Sequence, residues 1–140
     1  MQSSGKAKGE QILETHGKTQ GTTIQDISQD GIKIQINSKS ESKGKYHSND
    51  MGTTTVWMKT DGTSEWESKG IQITHDGDMI AAWGKGTGKP TGPMAQSWEG
   101  EMHYMTQSPK LAWMNTASFW IEGTADNAKE SSSAKVYQMK

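Results

Sequence analysis

Three Asp-Gly dipeptides divide much of this chain into short runs in which apolar and polar residues alternate. They are Asp30-Gly31, Asp61-Gly62 and Asp76-Gly77. A two-residue Asp-Gly loop joins neighbouring antiparallel strands, and alternation with a period of two is typical of strands with one buried face. The chain is therefore predicted to be built from antiparallel β-hairpins.

The hairpin around Asp61-Gly62 carries a tryptophan on either side of its turn. If these two residues form the whole loop, Thr60 pairs with Thr63. Trp57 then lies opposite Trp66 on one face of the ribbon. Aromatic cross-strand pairs contribute about 0.5–1.5 kcal/mol beyond their buried area, so this pair is expected first of all to stabilise the sheet.

The same rule predicts the pairing of two further hairpins. Around Asp76-Gly77 it pairs Ile73 with Ile80. A turn at Ser108-Pro109 would set Tyr104 opposite Trp113, which gives a second aromatic pair.

Turn residues separate nine segments of strand-like pattern. We expect an all-β, single-domain antiparallel meander that closes into a barrel of roughly eight strands, because closure removes unpaired edges. Residues 1–9 are predicted to be a flexible segment and residues 10–140 the barrel domain. Gly84–Pro93 is predicted to be a loop, and Ala125–Glu130 is the one plausible helical turn. The predicted strands cover residues 10–16, 20–28, 32–42, 52–60, 63–74, 78–85, 96–106, 111–122 and 133–139.

The charged residues argue against a nucleic-acid partner. All 15 basic residues are lysine, and the net charge is −1, so the chain has neither a basic patch nor the planar arginine fork that phosphates and base edges favour. No signal peptide and no apolar run long enough for a membrane helix is apparent. Without cysteine, the chain fits a reducing compartment. We expect a soluble, cytoplasmic protein with no membrane partner.

One segment, Met79–Trp83, is apolar on both faces, which is unusual for a strand with one solvated side. Either a second layer of the protein covers its outer face or another subunit does. We predict a homo-oligomer that forms through this strand.

The sequence Glu99-Gly100-Glu101-Met102-His103 places two carboxylates and an imidazole on one face of a strand. If that face lines the barrel interior, Glu99, Glu101 and His103 could act as general acid and base or bind a divalent metal ion. If it faces solvent, the opposite side chains, which include Trp98 and Tyr104, form the core. The second arrangement is favoured.

No metal site or cofactor is predicted. The four histidines are not spaced in sequence as a metal-binding pair would be. The glycine-rich run Gly84–Pro93 lacks the spacing and the hydroxyl residue of a phosphate-binding loop. No nucleophile motif is present. The histidines are His16, His47, His75 and His103.

The strand pattern resembles that of small calycin-type barrels, particularly those similar to allene oxide cyclase. Two segments carry the resemblance: Trp83-Gly84-Lys85-Gly86-Thr87-Gly88, which closes one strand, and Trp98-Glu99-Gly100, which opens the next. The resemblance implies an eight-stranded barrel, often oligomeric, whose interior can hold a small apolar molecule. No catalytic residue of that group matches a residue of this chain.

Three functional hypotheses follow. The leading one is a barrel that binds a small, largely apolar ligand between aromatic walls formed by Trp57, Trp66, Tyr104 and Trp113. The second is a cyclase or isomerase that uses the acidic and histidine row. The third is a homo-oligomer that works without a ligand. Whether the protein is an enzyme is left open.

Overall fold

The computed structural model of this protein describes residues 8–140. Eight strands follow one another in an antiparallel meander, and β1 also pairs with β8, so the sheet closes into a barrel. The predicted all-β barrel is therefore confirmed. The elements are β1 (Lys8–Ser28), β2 (Gly31–Gly44), β3 (His47–Lys59), β4 (Ser64–Thr74), β5 (Met79–Gly92), β6 (Ala95–Thr106), a 3₁₀ helix (Pro109–Asn115), β7 (Phe119–Asp126) and β8 (Ser131–Met139).

Element boundaries differ from the predicted ones in several places. Strand β1 is continuous across the two predicted segments 10–16 and 20–28, with one register shift against β2 next to the predicted break, between Thr19 and Gly21, and a second between Ile24 and Asp26. It begins two residues before the predicted start of the barrel domain, and residues 1–7 of the predicted flexible segment lie outside the described part of the chain. The predicted strand 111–122 is split into the 3₁₀ helix and the start of β7. The predicted helical turn 125–130 is the end of β7 followed by a tight turn.

The glycine-rich run predicted to be a loop is the second half of β5. Gly84, Gly86 and Gly88 alternate with longer side chains and face β6 and the interior. A Cβ atom added to Gly86 would lie 2.7 Å from Cζ2 of Trp66, and one added to Gly100 on β6 would lie at the same distance. The carbonyl oxygens of Glu99 and Lys85 on the paired strands lie even closer to these added atoms. The two glycines are therefore required both by the close approach of β5 and β6 and by the Trp66 indole, which lies against their bare backbone.

The β3–β4 hairpin shows that the predicted tryptophan pairing is wrong. Val56 lies opposite Trp66, and Trp57 lies opposite Glu65. The loop is longer than two residues: the Lys59 amide donates to the Thr63 carbonyl at 2.8 Å, and Asp61 Oδ1 accepts a hydrogen bond from the Thr63 amide at 2.9 Å. Because side chains alternate along a strand, this one-residue change turns Trp57 to the outer face and Trp66 to the interior.

The two other predicted pairings are also wrong. In the β4–β5 hairpin, Ile73 lies opposite Met79 rather than Ile80. The Thr74 hydroxyl accepts the Asp78 amide at 2.9 Å and helps to hold a wider turn. The Ser108-Pro109 turn opens the 3₁₀ helix, so Trp113 does not pair with Tyr104 across a hairpin.

The two ends of the barrel are built differently. At the capped end, where β1 begins, the 3₁₀ helix inserts Leu111 and Met114 into the core. The open end, where the β1–β2, β3–β4, β5–β6 and β7–β8 turns lie, has no such plug among residues 8–140. The buried core is concentrated at the capped end. Its members at that end include Ile12, Leu13, Ile80, Tyr104, Phe119 and Val136.

Candidate functional site

An interior cavity of about 230 Å³ lies in the open half of the barrel. Trp66 from β4 and Trp98 from β6 form one wall, with their ring centroids 5.7 Å apart in an edge-to-face arrangement. Trp98 is accommodated in the same way as Trp66, because a Cβ atom at Gly123 on β7 would lie 2.7 Å from its Cζ2 atom. The two indoles thus occupy space that glycines on neighbouring strands leave free.

The rest of the cavity wall divides into an apolar part and a hydroxyl part. The hydroxyls come from inward-facing serines and threonines, and Thr54 donates to the Ser68 hydroxyl at 3.0 Å. A ligand in this cavity would therefore meet mostly carbon and a few neutral donors and acceptors, with no charge along the inner wall. The apolar lining is Ile36, Val56, Met102, Ile121 and Ala125; the hydroxyl lining is Thr19, Ser38, Thr54, Ser64, Ser68, Ser131 and Ser132; two amides, Gln96 and Asn127, complete it.

Among residues 8–140, the charged residues that border the cavity are Lys18, Asp126 and Glu130, which lie at its mouth. The β7–β8 turn is fixed to β1 there, because the Thr19 amide donates to the Glu130 carbonyl at 2.9 Å. The mouth is therefore a polar ring of mixed charge around a largely apolar interior.

The β1–β2 hairpin extends beyond the barrel at this mouth. The pairing of β1 with β8 ends at Lys18, whereas β1 pairs with β2 as far as Ser28. Ile24 lies opposite Ile34, on the face that leads to the cavity residue Ile36. Because β8 does not extend along this part of β1, Ile24 is 64% exposed and Ile27 66% exposed. The apolar inner surface thus continues past the rim of the barrel.

A polar network fills the interior between the cavity and the capped core. The Asp50 carboxylate accepts hydrogen bonds from Ser40, Ser42 and Ser48, the last at 2.6 Å. Next to it, the Tyr46 hydroxyl donates to Gln72 Oε1 at 2.6 Å. Burial of the phenol raises the pKa of Tyr46 well above its usual value, and the Asp50 charge adds to this effect. This network satisfies an inward carboxylate and stabilises the barrel; it does not line the cavity.

The structure does not bring the four predicted ligand-binding aromatics together. Trp66 lines the cavity, but Tyr104 packs edge-on against Phe119 in the capped core, at 5.0 Å between centroids. Trp113 lies on the 3₁₀ helix and contacts the same phenylalanine ring. Trp57 lies on the outer face, with the Lys33 ammonium over its ring.

Trp98 is the cavity tryptophan that the ligand hypothesis missed. The sequence did indicate that Trp98 faces inward, because it alternates along β6 with the other inward residues, Gly100, Met102 and Tyr104.

Glu99, Glu101 and His103 lie on the outer face of β6. Glu99 and Glu101 are exposed and border an outer groove of about 350 Å³, while His103 stacks on Trp83 at 5.8 Å. The cyclase hypothesis required this row inside the barrel, so these residues cannot serve as interior acid and base. The interior side of the strand is occupied by Gly100, Met102 and Tyr104.

Two histidines that are far apart in sequence meet on the outer face of the capped end. His75 follows β4 and donates its amide to the carbonyl of His47, the first residue of β3, at 2.9 Å. Their rings lie 3.6 Å apart between centroids, and His47 Nε2 is 2.6 Å from Glu41 Oε2 on β2. The sequence gave no indication of this cluster, because the predicted register of the β3–β4 hairpin was shifted by one residue and did not place His47 opposite His75.

No helix among residues 8–140 is both long and apolar enough to cross a membrane. No protein-family model matches the chain. No curated protein matches its sequence either.

Solved structures do share the fold. A protein of unknown function from Clostridium acetobutylicum aligns with a TM-score of 0.83 at 17% identity, over 94% of this chain and 98% of its own. A beta-barrel like protein from Acinetobacter baumannii aligns at 0.76 and 18% identity, over 94% of both chains. An enzyme from Penicillium herquei aligns at 0.69 and 19% identity, over 94% of this chain and 92% of its own. At these identities the similarity establishes the barrel fold and not the calycin or allene oxide cyclase relationship or an activity.

Proposed function

We propose that this protein binds a small, largely apolar molecule in the open half of the barrel. The observation that carries the proposal is the cavity of about 230 Å³ beside the wall that Trp66 and Trp98 form. A tightly filled small barrel needs no such space, whereas a cavity of about 150 Å³ lined by apolar side chains already holds benzene. The volume fits a ligand of one substituted ring or a short branched chain.

The chemistry of the wall narrows the ligand class. The indole rings and aliphatic side chains favour an apolar body, and the Thr54 and Ser68 hydroxyls can bond one or two neutral oxygens. A charged group would lose its hydration inside the cavity without gaining a counter-ion there. We infer that any charged part of the ligand stays at the mouth, near Lys18, Asp126 and Glu130.

The exposed isoleucines of the β1–β2 hairpin add an apolar surface at the entrance of the cavity. Ile24 and Ile27 continue the apolar inner face past the rim. A ligand longer than the cavity would therefore lie against them as it leaves the barrel. This arrangement favours a molecule with an apolar tail over a compact polar one.

The test uses fluorinated one-ring and two-ring phenols as probes, followed by ¹⁹F NMR. Thr54→Phe fills the cavity, and Thr55→Phe is the matched control because Thr55 points outward from the same strand. We expect wild type and Thr55→Phe to bind a probe equally and Thr54→Phe to bind about tenfold more weakly or worse, a loss of about 1.4 kcal/mol. Equal binding by the two variants would refute the site. Native mass spectrometry of the purified protein would identify a retained ligand by its mass.

We also propose that two copies of the chain associate through the outer face of β3 to β6. Met51, Ile71, Ala81 and Met105 are cross-strand neighbours, so they form an uninterrupted apolar row over four strands. The predicted Met79–Trp83 strand lies at its centre. A row of partly exposed apolar side chains can be covered by the same row of a second copy related by a two-fold axis.

Sedimentation of two lysine variants tests this association. Met105 is 53% exposed within the apolar row, and Met94, which is 54% exposed at the β5–β6 turn, lies away from it. We expect wild type and Met94→Lys to sediment as dimers and Met105→Lys as a monomer. A monomeric wild type would contradict the proposal.

The prediction of a cytoplasmic protein rests on the sequence and stays a prediction.

A further inference from the structure

The cluster of Glu41, His47 and His75 lies apart from the proposed ligand cavity, at the opposite end of the barrel. One ligand atom from each of the three side chains lies within 4.8 Å of the other two. Two imidazoles and one carboxylate are a donor set that favours borderline divalent metal ions, Zn²⁺ above all. We propose that these three residues form a transition-metal site on the outer face of the capped end.

Backbone pairing holds the two histidines in place. The ladder of β3 and β4 runs to Ser48 and Thr74, and the His75 amide extends it by one hydrogen bond to the His47 carbonyl. Both imidazoles therefore project on the same side of the sheet, next to each other. Because their backbone positions belong to a paired ladder, little ordering is needed to bring two nitrogen ligands together.

Glu41 completes the donor set from the neighbouring strand. It lies two residues before Lys43, the cross-strand partner of His47, and is therefore a diagonal neighbour of His47. Its hydrogen bond from His47 lowers the pKa of the Glu41 carboxyl, so the group is ionised and able to bind a cation. A zinc ion about 2.0–2.2 Å from each ligand atom would replace the hydrogen now shared by His47 Nε2 and Glu41 Oε2.

The surroundings leave further coordination positions open. His47 and His75 border a groove of about 570 Å³ that also contains Asp76, Asp78 and Lys110. Lys110 Nζ is 2.8 Å from Asp76 and 3.4 Å from Asp78, so these carboxylates are engaged by a cation of the protein itself. The metal would thus keep three protein ligands and bind water or an anionic group from the groove, which is the arrangement of an open zinc site.

Calorimetric titration of the metal-stripped full-length protein with Zn²⁺ tests the site. The variants are His75→Ala and Glu41→Gln, and the matched control is His16→Ala. His16 also contacts a carboxylate, Glu14 at 3.0 Å, on the outer face of the barrel, but it has no second histidine beside it among residues 8–140.

We expect wild type and His16→Ala to bind one Zn²⁺ with equal affinity. Loss of a residue that only supports a metal ligand commonly lowers the metal affinity by about 10–100-fold. Loss of the His75 ligand itself should therefore lower the affinity for Zn²⁺ by at least about tenfold. Equal binding by wild type and His75→Ala, or absence of binding by wild type, would overturn the proposal. A second readout is the Cu²⁺ electron paramagnetic resonance spectrum, in which nitrogen couplings from two imidazoles should fall to those from one in the alanine variant.

Folding of each variant is checked by its far-ultraviolet circular dichroism. If His75→Ala loses the β signal, His75→Gln takes its place, since glutamine keeps much of the side-chain volume and does not supply an imidazole nitrogen. Survival of a two-nitrogen Cu²⁺ spectrum in that variant would also exclude His75 as a ligand.

Discussion

The capped and open ends of this barrel use the same strand geometry but fill it with different side chains. At the capped end, inward positions carry large apolar groups, and the 3₁₀ helix adds Met114, which is fully buried. At the open end, the corresponding positions carry serine, threonine and glycine, and two tryptophans stand beside a space that their neighbours do not fill.

This contrast separates the part of the barrel that provides stability from the part available to a ligand. Buried apolar area is concentrated where the helix closes the barrel, so the capped end should hold the sheet together even when the open end is empty. The inner wall of the open end can then be polar and incompletely packed. Substitutions at the two ends should have effects of different size and kind.

The largest expected loss of stability follows truncation in the capped core. Phe119 is fully buried and contacts the rings of Tyr104 and Trp113. Phe119→Ala should lower the free energy of unfolding by about 3–5 kcal/mol, measured by urea denaturation. Val56→Ala at the cavity wall should cost well under half as much, because part of the valine already borders empty space. Equal losses would mean that the cavity is packed in solution.

The next largest effect should come from the glycines that accommodate Trp66. A Cβ atom at Gly100 would meet Trp66 Cζ2 at 2.7 Å and Gly86 Cα at 2.8 Å. Gly100→Ala should therefore destabilise the protein by about 1–3 kcal/mol. Gly21→Ala is the control, since no heavy atom lies within 4 Å of its added Cβ. The Lys85 carbonyl oxygen of β5 lies closer still to the atom added at Gly100. If both variants unfold at the same urea concentration, β5 and the indole do not approach Gly100 as closely as in the structure.

High pH should affect the capped half through two buried phenols. Burial raises the pKa of Tyr46 and of Tyr104 above the usual value of about 10. As the unfolded chain releases these protons first, stability is present below pH 10 and is lost as the pH rises beyond it. The loss should be about 1.4 kcal/mol per tyrosine at pH 11. The double variant Tyr46→Phe/Tyr104→Phe should lose less stability between pH 9 and pH 11, and an unchanged slope would contradict the assignment.

Alternation and turn residues were enough to predict the class of fold but not the register of its hairpins. Asp61 and Thr74 each bond a backbone amide with their side chain and thereby widen a loop that the Asp-Gly rule makes two residues long. That shift of one residue decides which face of a strand is inside. With the actual register, Trp57 lies on the outer face and not in the predicted site. The same register makes His47 and His75 neighbours, which the predicted register did not.

The position of the cavity could not be predicted from the sequence, because it depends on distances between side chains of different strands. Trp66 was among the predicted contacts, and the alternation of β6 already placed Trp98 inward. That the two indoles meet edge-to-face beside a cavity follows from Gly86 on β5, Gly100 on β6 and Gly123 on β7. Gly86 and Gly123 are the cross-strand partners of Trp66 and Trp98, so the register of these strands has to be known before the glycines are recognised as neighbours of the tryptophans.

The smallest expected effect is confined to the open end and concerns the turn that sets the β3–β4 register. Asp61 accepts hydrogen bonds from the Thr63 amide at 2.9 Å and from its hydroxyl at 2.6 Å, and these bonds lower the pKa of the Asp61 carboxyl. Their stabilising effect should be present at neutral pH and be lost as the pH falls below about 4. Asp61→Ala should remove it at every pH. In hydrogen exchange at neutral pH, the Lys59 and Gly62 amides should then lose protection while Phe119 and its neighbours keep theirs. Loss of protection throughout the barrel would show instead that the two ends unfold as one unit, and the division between a stabilising end and a ligand-binding end would no longer hold.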